Sequence, residues 1–349
     1  MKKIVFYTIM ILALGFLAAG CLGKSGTSNA EAKSTPAAAQ SKSDDSDALP
    51  EGAGTKTTGD YLKEINKVLD NEDYVTGKKL CEEALQKDPN HSMLLMLLGS
   101  CYYHDGQYEE AVKYFTKSLD VEVNANQNYI YRGQAYIHLG KYKEAIADLD
   151  KVMKYIKEFY SLYSSRGMAH ALDGDMEKAM VDFNKAIELG PESEVAFENR
   201  GMAYLIKGDY AKAQADLKKS MELNPDFAGA YTTLAFSYIL QKNNNGAAEE
   251  LDKVLKKTPE NSVALYYKGL NELRTGKAAE SRKDFEDAKR LDKGNENIMV
   301  FQALSEKYPK SEVGKAASEI LKAMGIAVKS GKLEKTEKPA EKPEKKPAK

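Results

Sequence analysis

Small and hydrophobic positions return along this chain every 34 residues. A small residue stands at Gly99, Gly133, Gly167, Gly201, Ala235 and Gly269. Four residues earlier comes a bulky apolar one (Leu95, Tyr129, Tyr163, Phe197, Tyr231, Leu265), and three later usually an aromatic (Tyr102, Tyr136, Tyr204, Tyr238). Such offsets share one face of a helix. Seven residues past the ladder stand Gly106, Gly140, Gly174, Gly208 and Gly276, where a helix C-terminus takes a positive φ. A second amphipathic stretch follows, marked by Ala111, Ala145, Ala179, Ala213 and Ala247 and, four residues on, by Phe115, Leu149, Phe183, Leu217 and Leu251. Pro89, Pro191, Pro225 and Pro259 then close several units. A fixed period of this length predicts an all-α array of stacked helix pairs sharing one continuous core.

Seven units are expected, at 58–91, 92–125, 126–159, 160–193, 194–227, 228–261 and 262–295. The pattern weakens at both ends. Ile65 replaces the first glycine, with Gly77 and Cys81 in place of the alanine and the aromatic, and Ser281 replaces the last alanine. End units must cap an apolar face that has no neighbour, so such departures are expected there. Residues 296–328 are again helical in pattern and are expected to cap the C-terminus. The segments YRGQAYIHLGKYKEAIADL and FENRGMAYLIKGDYAKAQADL resemble the tetratricopeptide repeat (TPR) family, with its bulky-x2-L-G-x2-Y and A-x3-F spacing. That resemblance implies a right-handed α-solenoid whose first helices line a concave, ligand-holding groove.

If the groove positions of the family apply, Met93, Met96, Tyr103, His104, Gln127, Ile130, Gln134, His138, Ser164, Met168, Glu198, Met202, Thr232, Phe236 and Tyr266 face it. Ser161 and Leu270 fall at equivalent places. This lining is nearly uncharged and lacks the Lys, Asn and Arg set with which some TPR domains clasp a peptide carboxylate. Methionine, aromatics and amides suit an apolar or extended peptide segment. The bland alternative is that some of these side chains pack against the neighbouring unit.

The N-terminus points to export. Lys2 and Lys3 precede an apolar run, Ile4 to Leu17, of signal-peptide length. It ends in Leu17-Ala18-Ala19-Gly20-Cys21, which resembles the lipobox of bacterial lipoproteins, with Ala18 where leucine is more common. The resemblance implies cleavage after residue 20, acylation of Cys21 and a place in the bacterial envelope facing the periplasm. Leu22, in place of a retaining aspartate, tilts that expectation to the outer membrane. Residues 21–57, the lipidated cysteine and a Ser/Ala/Gly/Thr/Lys-rich stretch, are expected to form the anchor and a tether, and the Lys/Glu/Pro tail at 329–349 to be extended.

Charge and reactive residues narrow the chemistry further. Net charge is −1, with +1 over residues 1–57, +4 over 329–349 and −6 over the body, so no global basic field argues for nucleic acid. Arg132, Arg166 and Arg200 recur in step with Asp148, Asp182, Asp216 and Asp284, a pattern better matched to inter-helix ion pairs than to a polyanion track. His104 and His138 occupy equivalent positions but have no third ligand, a weak metal site. Cys81 and Cys101 fall on adjacent helices, where a bridge and two buried thiols both fit. No phosphate-cradling loop, nucleophile elbow or zinc-protease motif is present, so neither an enzyme nor a cofactor is expected. The expected role is a membrane-tethered adaptor or scaffold for an envelope protein or peptide segment. The alternatives are self-association, including a homodimer, and carriage of an apolar small ligand in a closed cavity.

Overall fold

The computed structural model describes residues 56–123 and 125–328. The expected signal peptide, Cys21, nearly all of the tether and the 329–349 tail lie outside the described residues. Sixteen α-helices and no β-strand occur among those described. The first fourteen form seven pairs: α1 Thr58–Asp70 and α2 Tyr74–Lys87; α3 Ser92–His104 and α4 Tyr108–Val121; α5 Asn126–His138 and α6 Tyr142–Met153; α7 Tyr160–Asp173 and α8 Met176–Leu189; α9 Glu194–Lys207 and α10 Tyr210–Leu223; α11 Ala228–Leu240 and α12 Asn244–Lys257; α13 Ser262–Arg274 and α14 Ala278–Leu291. A short 3-10 turn, Lys293–Asn295, leads to α15 Glu296–Lys307 and α16 Glu312–Ala323. Each of α1 to α13 packs on its successor, as in a right-handed α-solenoid, whereas α14 and α15 meet only through the 3-10 turn.

The ladder glycines exist because the second helix of each unit brings a large side chain against the first. A Cβ on Gly99 or Gly167 would lie 2.8 Å from the ring of Phe115 or Phe183. On Gly133 or Gly201 it would lie 3.3 or 3.2 Å from Leu149 or Leu217. Unit one reverses the sizes, since Ile65 shares a core cluster with the smaller Cys81. Its departure from the pattern therefore puts the larger residue on the first helix and the smaller on the second within one cluster.

The turns between paired helices need a left-handed residue. Unit six supplies Lys242, at φ 62°, and unit one Glu72, at φ 59°, where five other units use glycine. The unit-six turn keeps the shared geometry at the expense of backbone strain, and Asn243 caps α12 by accepting from the Gly246 amide at 3.1 Å.

The arginines are scaffold. Arg132, Arg166 and Arg200 each donate two hydrogen bonds, 2.7–2.9 Å long, to Asp148, Asp182 and Asp216 within their own units. Their remaining nitrogen reaches back to the preceding unit, at Thr116, Asp150 and Asn184. Lys268 makes the corresponding contact with Asp284 at 2.6 Å. These are not exposed surface pairs, since the Asp148 and Asp182 side chains are only 4% exposed. Removing one arginine therefore strands a buried carboxylate. Cys81 and Cys101 are free and buried, and hydrogen bonding between them together with burial pushes the Cys81 thiol up.

The C-terminal helices do more than cover the last unit. At the 3-10 turn Gly294 (φ 75°) and Asn295 (φ 58°) both adopt left-handed backbone, and the chain turns from α14 into α15. Helices α15 and α16 pack on one another. Together they lie against α7, α9, α11 and α13, the first helices of units four to seven. Those helices form the concave layer of the solenoid, so the hairpin fills the groove instead of only ending the array.

Candidate interaction groove

Asp292 sets the entry of the hairpin into the groove. Its carboxylate accepts from the backbone amides of Asn297 and Ile298 at 3.2 and 3.3 Å, from the Asn297 side chain at 2.8 Å and from the Tyr266 hydroxyl at 3.2 Å. It thus serves the free amides at the start of α15, which the side chain of the N-cap residue Asn295 leaves unserved. Burial raises its pKa to about 6, opposed by the hydrogen bonds from Asn297.

One turn further, Glu296 ties the hairpin to units two and three. Its carboxylate lies 3.2 Å from His138 Nδ1 and accepts a short hydrogen bond from the Tyr108 hydroxyl. Tyr103 and His138 Nε2 are 3.1 Å apart, and the His138 ring stacks on Tyr108 at 4.1 Å. The far end of α15 is held at unit four, where Lys307 pairs with Asp173 at 3.3 Å and the Tyr308 hydroxyl donates to the Ala171 carbonyl at 2.5 Å. Helix α16 is tied to unit seven by Arg274, which donates to both oxygens of Glu319 at 2.9 and 3.1 Å.

Between these polar ties the seam is apolar. Phe301 meets Tyr266 edge-on at 5.2 Å and lies 6.3 Å from Tyr267, which in turn stacks on Phe236 at 4.4 Å. Ile298, Leu304, Val313, Ala316, Ala317, Ile320 and Leu321 are buried in one cluster with Met168, Phe236, Tyr266 and Leu270. On α16 the buried positions recur at the spacing of a single helix face.

The structure places the expected groove residues in four settings. Met168, Phe236 and Tyr266 belong to the cluster that holds the hairpin, with Met202 packed against it, while Tyr103 and His138 reach it through the Glu296 tie. Ile130 is buried with Leu149, Val152 and Leu162, in the seam between units. Thr232 hydrogen-bonds back to Ala228 and Gly229 in its own helix, and Ser164 and Gln134 are buried. Glu198 is buried and accepts from the Thr233 hydroxyl at 2.7 Å, and burial raises its carboxyl pKa to about 7. His104 stacks on Tyr74 of unit one at 4.4 Å, and burial lowers its pKa to about 4. At the N-terminal rim, Met93 (47% exposed) and Gln127 remain open to solvent, and Met96 is half-buried.

Sequence reasoning missed Tyr108, Tyr267, Arg274, Glu296 and Phe301 as groove residues. The available signal was the amphipathic pattern of 312–323, which needs an apolar partner after the last repeat has ended.

Comparison with known proteins bears on this architecture. Two family models described as "Tetratricopeptide repeat" match residues 132–194 and 204–268. One described as "Anaphase-promoting complex, cyclosome, subunit 3" matches residues 70–152. The chain is a tetratricopeptide repeat protein. Among solved structures, a TPR protein from Parabacteroides merdae ATCC 43184 is 18% identical with a TM-score of 0.59, the match covering 75% of this chain and 98% of that one. A chain of the APC/C hetero-tetramer Cut9-Hcn1 is 16% identical with a TM-score of 0.51, covering 72% and 52% respectively. At these identities the likeness is one of fold. No curated protein matched the sequence. TPR arrays of this kind serve in general as non-catalytic scaffolds for protein–protein interaction.

Proposed function

We propose that this TPR protein is a scaffold tethered to the bacterial envelope, probing for protein partners within reach of a lipid anchor at Cys21. The observation that carries the interaction half is the concave face itself. Its methionine, aromatic and amide lining takes up the apolar faces of two helices of the same chain, so it is chemically suited to helical protein segments. The anchor rests on the lipobox-like Leu17-Ala18-Ala19-Gly20-Cys21, and the tether on the composition of the residues that follow. Tethering raises the effective concentration of the groove for partners held at the same membrane.

Fractionation tests the anchor. Wild type is expected in the membrane fraction and Cys21→Ser in the soluble one; equal membrane retention of both removes the lipid tether. A photocrosslinking residue at Gln127, on the open rim, tests the scaffold. A discrete envelope protein captured in cells, and lost when Met93 and Met96 are both changed to Asp, supports the reading; labelling that ignores these changes counts against it.

A further inference from the structure

We propose that the concave face beneath α15–α16 is an exchangeable helix-binding surface, with the hairpin as its resident occupant. The partner it fits is an amphipathic helix with a carboxylate in its first turn and an apolar face behind it. This rests on the reading of the concave face as the interaction surface and names both its occupant and its control.

Three observations carry it. The first is the attachment. The hairpin joins the repeats only through the short 3-10 turn, where the consecutive left-handed residues Gly294 and Asn295 separate α14 from α15 and the two helices do not pack on each other. The second is the seam. The packing inside each repeat is made by Phe, Leu, Ala and Gly recurring at fixed offsets. The hairpin brings Asn297, Gln302 and Ser305 into its buried face and is anchored by polar ties at Glu296, Lys307 and Glu319. A seam holding polar groups that water can also satisfy is less costly to expose than an all-apolar one. The third is that α15 and α16 carry a hydrogen bond of their own, Ser305 to Ser318 at 2.7 Å, so the hairpin has internal ties apart from the groove.

Exchange does not require the groove to stand empty. A competing helix that covers Phe236, Tyr266 and Tyr267 replaces the burial lost with Phe301 and Ile298. The balance then depends on the ties, of which Glu296 to Tyr108 and His138 is the most buried. The requirement for a first-turn carboxylate follows from it, because His138 and Tyr108 present their polar atoms at that point, beside the positive end of α15.

The test uses the full chain and a fluorescently labelled synthetic peptide of residues 292–328 added in trans. The wild type is expected to capture the peptide weakly and Glu296→Ala about tenfold more tightly, since the resident hairpin has lost a charged tie. Hydrogen exchange is read alongside. Amides of 296–323 are expected to exchange ahead of those in α7 to α14, by a further factor of about ten in Glu296→Ala. If 296–323 exchanges only together with the repeats in both proteins, the hairpin is permanent core and exchange is overturned, while the scaffold reading stands or falls on its own crosslinking. Early exchange without peptide capture by either protein overturns the proposal and also removes the concave face from the scaffold reading.

Discussion

The seams between repeats and the seam beneath the C-terminal hairpin are built on different principles. In the repeats, two contacts are written several times: glycine against Phe or Leu inside a unit, and arginine holding an aspartate of its own unit while reaching an acceptor of the preceding one. Beneath the hairpin nothing repeats. Phe301 on Tyr266, Glu296 on His138 and Tyr308 on Ala171 each occur once, between residues of different units. Periodic packing builds a curved wall; the aperiodic packing decides what occupies its hollow.

The largest expected effect tests whether the hairpin shares in global stability. Phe301→Ala removes an aromatic packed edge-on against Tyr266 and tilted beside Tyr267 and should cost about 3–5 kcal/mol of any cooperative unfolding that includes the hairpin. Urea unfolding checks this. A loss confined to a separate early transition would show that the two regions unfold independently.

Arg166→Ala addresses the other region. It removes three charged hydrogen bonds and leaves Asp182 buried, so stability should fall by about 2–4 kcal/mol. Adding Asp182→Ala should restore part of the loss, and a double-mutant cycle in chemical denaturation measures the coupling.

Glu198 gives a pH-dependent contrast. Its folded pKa is raised from 4.5 to about 7 by burial, so folding favours the protonated acid. Its stabilising contribution is complete below about pH 4.5 and is lost as pH rises through about 7. Glu198→Gln, which keeps a side-chain acceptor for Thr233, should therefore raise stability at pH 8 by about 2–3 kcal/mol and have little effect at pH 4.5. Thermal melts of both proteins across that range provide the check, and a gain independent of pH would contradict the assignment. Asp292, raised to about 6 at the hairpin junction, contributes with the same sign and remains in both proteins.

The smallest effect lies in a turn. Lys242→Gly relieves a left-handed lysine at φ 62° and should add about 0.5–1 kcal/mol, visible as a higher Tm with unchanged circular dichroism.

The repeat architecture was legible because its physics recurs. Gly106, Gly140, Gly174, Gly208 and Gly276 signalled the left-handed turns, and the matched strides of Arg and Asp signalled the ion pairs. Ile65, which departs from the repeat pattern, is buried in one cluster with the smaller Cys81. The groove was only partly legible. Met168, Phe236 and Tyr266 were assigned to it from their positions, but no periodic signal linked them to Phe301 or Glu296. Tyr108 is 188 residues from Glu296, and their hydrogen bond depends on the curvature accumulated over several units, which no local window contains. Ile130 packs with Leu149, Val152 and Leu162, a contact hidden for a related reason: position within a helix does not say how far that helix rotates toward its neighbour.

The central claim is that the hairpin lies in the hollow of its own chain, and zero-length carbodiimide crosslinking of the monomer tests it most directly. Lys307 and Asp173, 3.3 Å apart, should be joined within one chain, and the peptide bearing both should appear in the mass spectrum of the dilute protein. Efficient crosslinking of Lys315 to Glu312 without any Lys307–Asp173 product would contradict the account, since the reagent would be working and the hairpin would lie elsewhere.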